Sequence, residues 1–322
     1  LTKRSVLIPL LKASQQALAK TYNMKQAIYK TIYNQAINKV LRNINKVFSP
    51  MLPDTMKIPP SGILIIKNAA GQKLKIKTNQ TSYLTHVLFW EGYQNFEYTD
   101  IFIKLIKKMN VFYDIGANIG YYSLLAEWEN SKIKVVAFEP ASSPLFYFKE
   151  NVKINNFTNI IVEDIALSEK IGEITFYEIK NDKYAYLEHN LSGEGNAGSK
   201  TTDRNFVSTP VATITLNEYF KKNQEKNIDL IKMDTEGTEN LILENADYIL
   251  DKIKPIIICE TLYNTIEPQL QSIFEKYGYE FYNHINDGLE KVASIVREND
   301  NGVRNCFFVH PSKFELIKEF VK

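Results

Sequence analysis

VFYDIGANIGYYSLL, residues 111–125, decides how the chain is read. An apolar run ends in Asp114, a turn follows with glycine only at Gly116 and Gly120, and apolar residues then resume at helical spacing. Strand, tight glycine turn and helix in that order make one unit of a nucleotide-binding sheet. Dinucleotide loops usually carry three glycines, so that backbone and helix N-terminus can approach an anionic pyrophosphate. Here Asn118 holds the middle of the turn, and Asp114 would face the phosphates with like charge. The loop therefore suits a nucleoside that carries positive charge and no phosphate.

Outward from this unit the chain keeps a regular rhythm. Short β-rich runs are expected at 111–115, 134–139, 159–166, 228–234 and 255–260, with helices between most of them, as at 119–129, 143–155 and 239–250. Strands alternating with helices predict a parallel sheet covered on both faces, an α/β fold. GEITFYEIK (172–180) and VATITLNEYF (211–220) read as extra strands around a long polar loop at 187–209. YEFYNHI and NCFFVHP read as a closing strand pair.

In a doubly wound sheet the ligand lies outside the carboxyl ends of the strands. The residues there are Asp114, Glu139, Asp164, Asp234 and Glu260, and all five are acids. One such acid would be unremarkable; five crowd unless a cation or hydrogen-bond donors lie among them. S-adenosylmethionine, with an ammonium, a sulfonium and a ribose, meets that requirement. Asp114 then favours the cationic end, Gly116 leaves room for the chain, and the helix N-terminus after Gly120 takes the carboxylate. Glu139 stands where an acid accepts hydrogen bonds from both ribose hydroxyls. Asp164 is placed to meet the adenine, and Ile165 beside it joins Asn118 in the expected donor-binding set.

The N-terminal part differs in kind. Residues 1–53 hold nine of the 39 basic residues and no acid, so the rest of the chain sets 30 basic residues against 37 acidic ones. Tyr33, Ile37, Val40, Ile44 and Val47 step by four and three, an apolar stripe on a helix. Pro50, Pro53, Pro59 and Pro60 then break the chain. The stripe is expected either to pack on the protein's own body or a second subunit, or to lie on an anionic membrane or polymer. The acidic body argues against nucleic acid as a partner. GILIIKNAAGQKLKIKT reads as a hairpin about residues 68–71. The expected divisions are a basic helical arm at 1–57, a hairpin and aromatic-rich cap at 58–100, and a catalytic domain at 101–322.

No run approaches 18 apolar residues, and the first 20 show no signal-peptide core, which predicts a cytoplasmic protein, peripheral at a membrane if the arm docks there. Cys259 and Cys306 each sit in an apolar run and read as buried small hydrophobes rather than a disulfide or metal pair.

DIGANIGYYSLLAE, AFEP, KENVKINN, DIALSEKIGEITFY, TITLNEY and above all IDLIKMDTEGTENLIL resemble the FkbM-type methyltransferases, over about residues 80 to 310. The resemblance implies a Rossmann-like, seven-stranded class I methyltransferase sheet, S-adenosylmethionine as donor, and O-methylation of a hydroxyl on a sugar, glycan or secondary metabolite. The basic arm lies outside it, and acceptor specificity is expected in the loop at 187–209.

An alcohol is a poor nucleophile, so in-line methyl transfer calls for a base. Asp234 and Glu236, in LIKMDTEG where Gly237 permits a tight turn, are the leading candidates, with Lys232 expected to pair with one of the acids. His189 in the polar loop is the third. Glu236 and Glu239 could instead serve only to open the next helix. Asp234, Glu236 and Glu260 would also suit a divalent cation, although no tight ligand spacing favours one. Trp90, Tyr93, Phe96, Tyr184, Tyr186 and Tyr263 are candidates for stacking on an acceptor. Two other readings stay open: a catalytically inactive methyltransferase-fold scaffold, and an NAD(P)-dependent oxidoreductase.

Overall fold

The computed structural model describes residues 4–179, 182–191, 196–197, 206–286 and 288–322. Two helices lead, α1 (Arg4–Ile32) and α2 (Gln35–Val47), the second capped by Asn34, whose side chain accepts from the Ala36 and Ile37 N–H groups. The hairpin β1 (Gly62–Lys67) and β2 (Lys73–Thr78) follows, then α3 (Tyr83–Trp90) and α4 (Thr99–Ile106). The alternating part comprises β3 (Val111–Ile115), α5 (Tyr121–Glu129), β4 (Lys134–Phe138), α6 (Ser142–Asn155) and β5 (Ile160–Glu163).

A small sheet comes next: β6 (Ala166–Leu167), β7 (Gly172–Ile179), β8 (Asn196–Ala197) and β9 (Phe206–Ile214). Then α7 (Leu216–Lys222), β10 (Leu230–Met233), α8 (Glu239–Leu243), β11 (Ile256–Glu260) and α9 (Glu267–Lys276) return to the main sheet. It closes with β12 (Glu280–Ile285), β13 (Gly288–Val292), β14 (Asn305–Val309) and the short α10 (Phe314–Ile317).

The main sheet runs β13-β12-β14-β11-β10-β3-β4-β5. The five strands from β11 to β5 are parallel, and β14 slots antiparallel between β11 and β12. This is the class I methyltransferase strand order, with β13 added as an eighth strand at the edge. The central strands bury both faces, so successive residues feed two cores. Phe112, Val135, Leu230 and Ile258 pack with α4 and α5, whereas Tyr113, Val136, Ile231 and Ile257 pack with α7, α8 and α9.

Several expectations shift. VATITLNEYF is strand only to Ile214. Thr215 then accepts from the Glu218 N–H and starts α7, the Thr-x-x-Glu pattern of a helix N-terminus. The helix expected over 239–250 stops at Leu243, and a π-helical turn takes over at Ile249–Ile253. Cys259 and Cys306 are buried free thiols standing opposite each other on β11 and β14. The hairpin is bound to α6: Lys77 N–H donates to Asn151 Oδ1 (2.6 Å) and Lys75 N–H to Asn155 Oδ1 (2.9 Å). Its Leu64, Ile66, Leu74 and Ile76 belong to the same core as α4 and α5.

The arm docks by the face opposite to its apolar stripe. Arg42 is buried, its Nη1 donating to Asn38 Oδ1 (3.1 Å) and Ser61 O (3.0 Å), and its Nη2 to Ile63 O (2.9 Å). Asn38, also buried, donates to Pro59 O and accepts from the Ser61 N–H. These contacts hold α2 against the start of β1, while Ile37, Val40, Ile44 and Val47 stay exposed, Val47 at 75%. Of the stripe only Tyr33 packs on the protein's own body, edge-on to Tyr184, and the rest does not: the carbonyls about the hairpin take polar partners first. Among the described residues no helix is long and apolar enough to cross a membrane.

Candidate active site

Four structural pieces meet at the carboxyl ends of β3, β4 and β10. Gly116 follows β3 with φ of +73°, and a Cβ there would lie 1.9 Å from the Asp234 carbonyl oxygen. The missing side chain thus makes room for the backbone after β10. Gly120 (φ +83°) plays a similar packing role, since a Cβ there would run into the Phe148 ring at 2.1 Å. Gly116→Ala is expected to destabilise the protein by more than about 2 kcal/mol. An unchanged melting temperature would contradict that close approach.

Asn118, in the left-handed region at φ +53°, turns its N–H towards Glu139 Oε2 (2.7 Å). Glu139 Oε1 accepts from the Ala141 N–H (2.8 Å), so each carboxylate oxygen holds one backbone donor and keeps a lone pair in reserve. Burial pushes the Glu139 carboxyl up to about 7, against the pull of these two N–H groups and of Lys232.

Lys232 is the anomaly of β10, a buried cation in the fully buried strand LIKM. Register explains its placement, because Lys232 lies beside Asp114 on the parallel neighbour β3. Its Nζ donates to Gly116 O (2.7 Å) and lies 3.4 Å from Asp234 Oδ2 and 3.6 Å from Asp114 Oδ1. Burial works against its charge, but Asp234, Asp114 and Glu97 more than offset that and hold its pKa above the ordinary lysine value. Asp114 is itself 1% exposed and accepts from Ser123 Oγ (2.6 Å). Its Oδ1 has no hydrogen-bond partner, and burial raises its carboxyl above the usual range despite Lys232.

After β10, Thr235 N–H and Gly237 N–H donate to the two oxygens of the buried Glu239 (2.7 and 3.1 Å), tying a tight turn. Glu236 rides the tip of that turn with φ of +59°, and Gly237 follows at +92°. Carboxylate oxygens of Asp234, Glu236 and Glu260 all lie within 4.8 Å of one another. Burial pushes the Glu260 carboxyl up to about 9, with Asp234, Glu236, Glu239 and Glu97 adding to it. A proton held on Glu260 at neutral pH relieves the crowding. Glu97 rises to about 7, chiefly by burial, with Asp234 adding to the rise.

Part of this cluster borders a cavity of about 460 Å³, while Glu97, Lys232, Glu239 and Glu260 do not line it. Gly116, Asn118, Glu139, Ile165, Asp234 and Glu236 all line it, as the sequence reading required of a shared pocket. Asp114, buried and paired with Lys232, does not line it. Asp164 does not line the cavity. Its side chain is 65% exposed and pairs with Lys149 at 3.4 Å, because the strand ends at Glu163 and the next inward position falls to Ile165. His189 is also absent from the lining: its ring stacks on Phe146, with centroids 4.0 Å apart, and its carbonyl accepts from Asn79.

The aromatic candidates serve packing or hydrogen bonding instead. Tyr184 sits edge-on to Tyr29 and Tyr33, Tyr93 is buried, Phe96 packs on Tyr121, Tyr186 OH accepts from Gln80, and Tyr263 OH donates to Glu298 O. Trp90 packs on Phe89. The apolar walls come from Phe138, Leu167 and the β7 residues Ile174 and Phe176, which the sequence reading missed. Their signal was present in GEITFYEIK as alternating apolar residues, but nothing local says which face of that strand meets the main sheet. Residues 192–195 and 198–205 of the loop expected to set specificity lie outside the described residues.

A family model for the FkbM methyltransferase domain matches residues 114–287, more than half of the chain. The chain belongs to the FkbM methyltransferase family. Among curated relatives it is similar to methyltransferase sdnD of Sordaria araneosa, 25% identical over 190 residues, covering 52% of this chain and 72% of that one. It is also similar to the 31-O-demethyl-FK506 methyltransferase FkbM of Streptomyces tacrolimicus, 27% identical over 160 residues, covering 43% of this chain and 61% of that one.

Similar solved structures include a METTL16 methyltransferase domain, with 13% identity and TM-score 0.42, covering 82% of this chain and 90% of that one. A SAM-dependent O-methyltransferase of Thermotoga maritima has 14% identity and TM-score 0.37, covering 83% and 81%. At these values the likeness adds nothing to the strand order already described. Membership in the FkbM methyltransferase family, together with that strand order, implies S-adenosylmethionine as methyl donor.

Proposed function

We propose that this FkbM methyltransferase transfers a methyl group to a hydroxyl of a sugar, glycan or secondary metabolite, with general-base assistance. The observation that carries the reading is that one cavity is bordered by Glu139 on one side and by the Asp234–Glu236 turn on the other. The residues fit the donor: Glu139 has lone pairs to spare for two ribose hydroxyls, and the apolar walls suit an adenine ring. S-adenosylmethionine, when bound, supplies a methyl group made electrophilic by its sulfonium.

The chain's own residues do the rest. Glu139, Asn118 and Ile165 hold the nucleoside, and buried Asp114 sets negative charge behind the cationic end. Asp234, oriented by Lys232, takes the acceptor's proton as the new C–O bond forms, with Glu236 as the second candidate on the same turn. His189 is set aside, since its ring is stacked on Phe146 away from the cavity. The relative named a 31-O-demethyl-FK506 methyltransferase supports oxygen as the acceptor atom.

A divalent cation among Asp234, Glu236 and Glu260 is the second reading, favoured only by their proximity. Calorimetric titration with S-adenosylhomocysteine, beside NAD and NADP, tests the donor assignment. Binding of the sulfur nucleoside alone is expected, with a Kd on the order of micromolar. Binding of a nicotinamide nucleotide instead would overturn it, and adding or chelating Mg²⁺ during turnover separates the two base mechanisms.

A further inference from the structure

The N-terminal arm presents two features on one side of the molecule that the methyl-transfer site does not use. The first is apolar surface. Among the described residues, 11 of the 19 large hydrophobic residues that are exposed fall between Leu18 and Met56, including Ile37, Val40, Ile44 and Val47 of the stripe. Monomeric proteins rarely gather exposed apolar residues in this way without a partner surface.

The second feature is a basic groove of about 330 Å³ between α2, β1 and α3. Lys39, Arg42, Lys46 and Lys67 line it, and no acid does. Arg42 is 3% exposed, and its Nε has no acceptor, whereas Nη1 donates twice and Nη2 donates to Ile63 O. A buried guanidinium donor without a partner, in a groove lined by lysines, is built for an anionic oxygen. At about 100° per residue, Lys39 and Asn43 lie on α2 between the groove edge at Arg42 and the stripe at Val40 and Val47. Anion groove and apolar stripe are therefore neighbours along one helix.

We propose that this face docks on an anionic phospholipid bilayer, the stripe entering the acyl boundary and a headgroup phosphate occupying the groove. Charge chooses the occupant. Residues 1–53 carry nine basic residues and no acid, so two arms packed face to face would repel. An anionic leaflet supplies the opposite charge, at about 1 kcal/mol per basic residue near the surface, beside an apolar layer of any required extent. The body of the protein, with its acidic excess, stays in the water.

The test is flotation of the full chain with vesicles of phosphatidylcholine alone and with about one third phosphatidylserine. Co-flotation is expected with the anionic vesicles only, and weaker at about 0.5 M salt. Val40→Asp with Ile44→Asp should lower partitioning about tenfold or more, and Lys39→Glu should lower it as well, each leaving the S-adenosylhomocysteine affinity and melting temperature unchanged. Val40→Ser with Ile44→Ser provides a milder check should the aspartates disturb α2.

Failure of the wild type to float with anionic vesicles overturns the proposal. So does a dimer in sedimentation velocity that the aspartates dissociate while flotation is absent. Inorganic phosphate at matched ionic strength should release no more protein than chloride does; specific release by phosphate assigns the groove to a soluble phosphate and overturns the lipid assignment.

Discussion

Glu139→Gln is expected to weaken S-adenosylhomocysteine binding by about tenfold to a hundredfold for each ribose hydrogen bond lost or left badly aligned. Hydrogen bonds to a charged acceptor contribute about 1.5–3 kcal/mol each. The amide offers one oxygen where the Asn118 and Ala141 N–H groups now find two, so the turn gives up one bond before any ligand arrives. The wild-type carboxyl, raised by burial to about 7, adds a pH signature.

Only the ionised form accepts from both hydroxyls, so affinity should rise as pH climbs through about 7 and stay flat in the glutamine variant. Stability runs the other way. A carboxyl held above its ordinary 4.5 binds its proton more tightly folded than unfolded, so its contribution is complete below 4.5 and is lost as pH rises through about 7. Glu260, at about 9, extends that decline further. Calorimetry of both proteins across this range checks the assignment, and equal affinities would remove Glu139 from the donor site.

Asp234→Asn is expected to cut turnover about 10²–10⁴-fold while leaving donor affinity within about twofold. The neutral amide has the same shape, and Lys232 keeps Asp114 and Gly116 O as partners, so the fold should persist. Removing the Asp234 charge, the strongest of the carboxylates that raise Glu260, should also lower that group's pKa, which carboxyl NMR would detect. A parallel loss of donor affinity would reassign Asp234 to holding the donor. Normal turnover would move the base to Glu236, which shares the turn.

Much of this site was legible because strand ends are legible. Each acid at the end of an apolar run could be placed at the ligand edge of the sheet from periodicity and topology alone. Glu139 and Asp234 border the cavity for that reason. Asp164 failed the same test by one residue: the strand stops at Glu163, and side chains alternate, so Ile165 rather than Asp164 faces in. His189 failed for a different reason. Chemical capacity is a property of the residue, but its direction depends on Phe146, 43 positions earlier in the chain.

The sequence by itself determined the parallel α/β sheet, the family, the donor class and the pairing of two acidic turns across one pocket. These follow from local patterns of short range: alternating strands and helices, a glycine turn, a charge at a strand end. Tertiary structure alone decided three matters. It set Lys232 beside Asp114 through strand register, turning a lone buried lysine into the hub of the acidic cluster. It set the Asp234 backbone against Gly116, so that the turn needs glycine for packing. It also docked the arm by Arg42 and Asn38, leaving Ile37, Val40, Ile44 and Val47 outward, because unpaired carbonyls at the hairpin took polar partners in preference to covering hydrophobic side chains. Amphipathic periodicity gives a helix two faces, but which one meets the body is decided by what the body leaves unsatisfied.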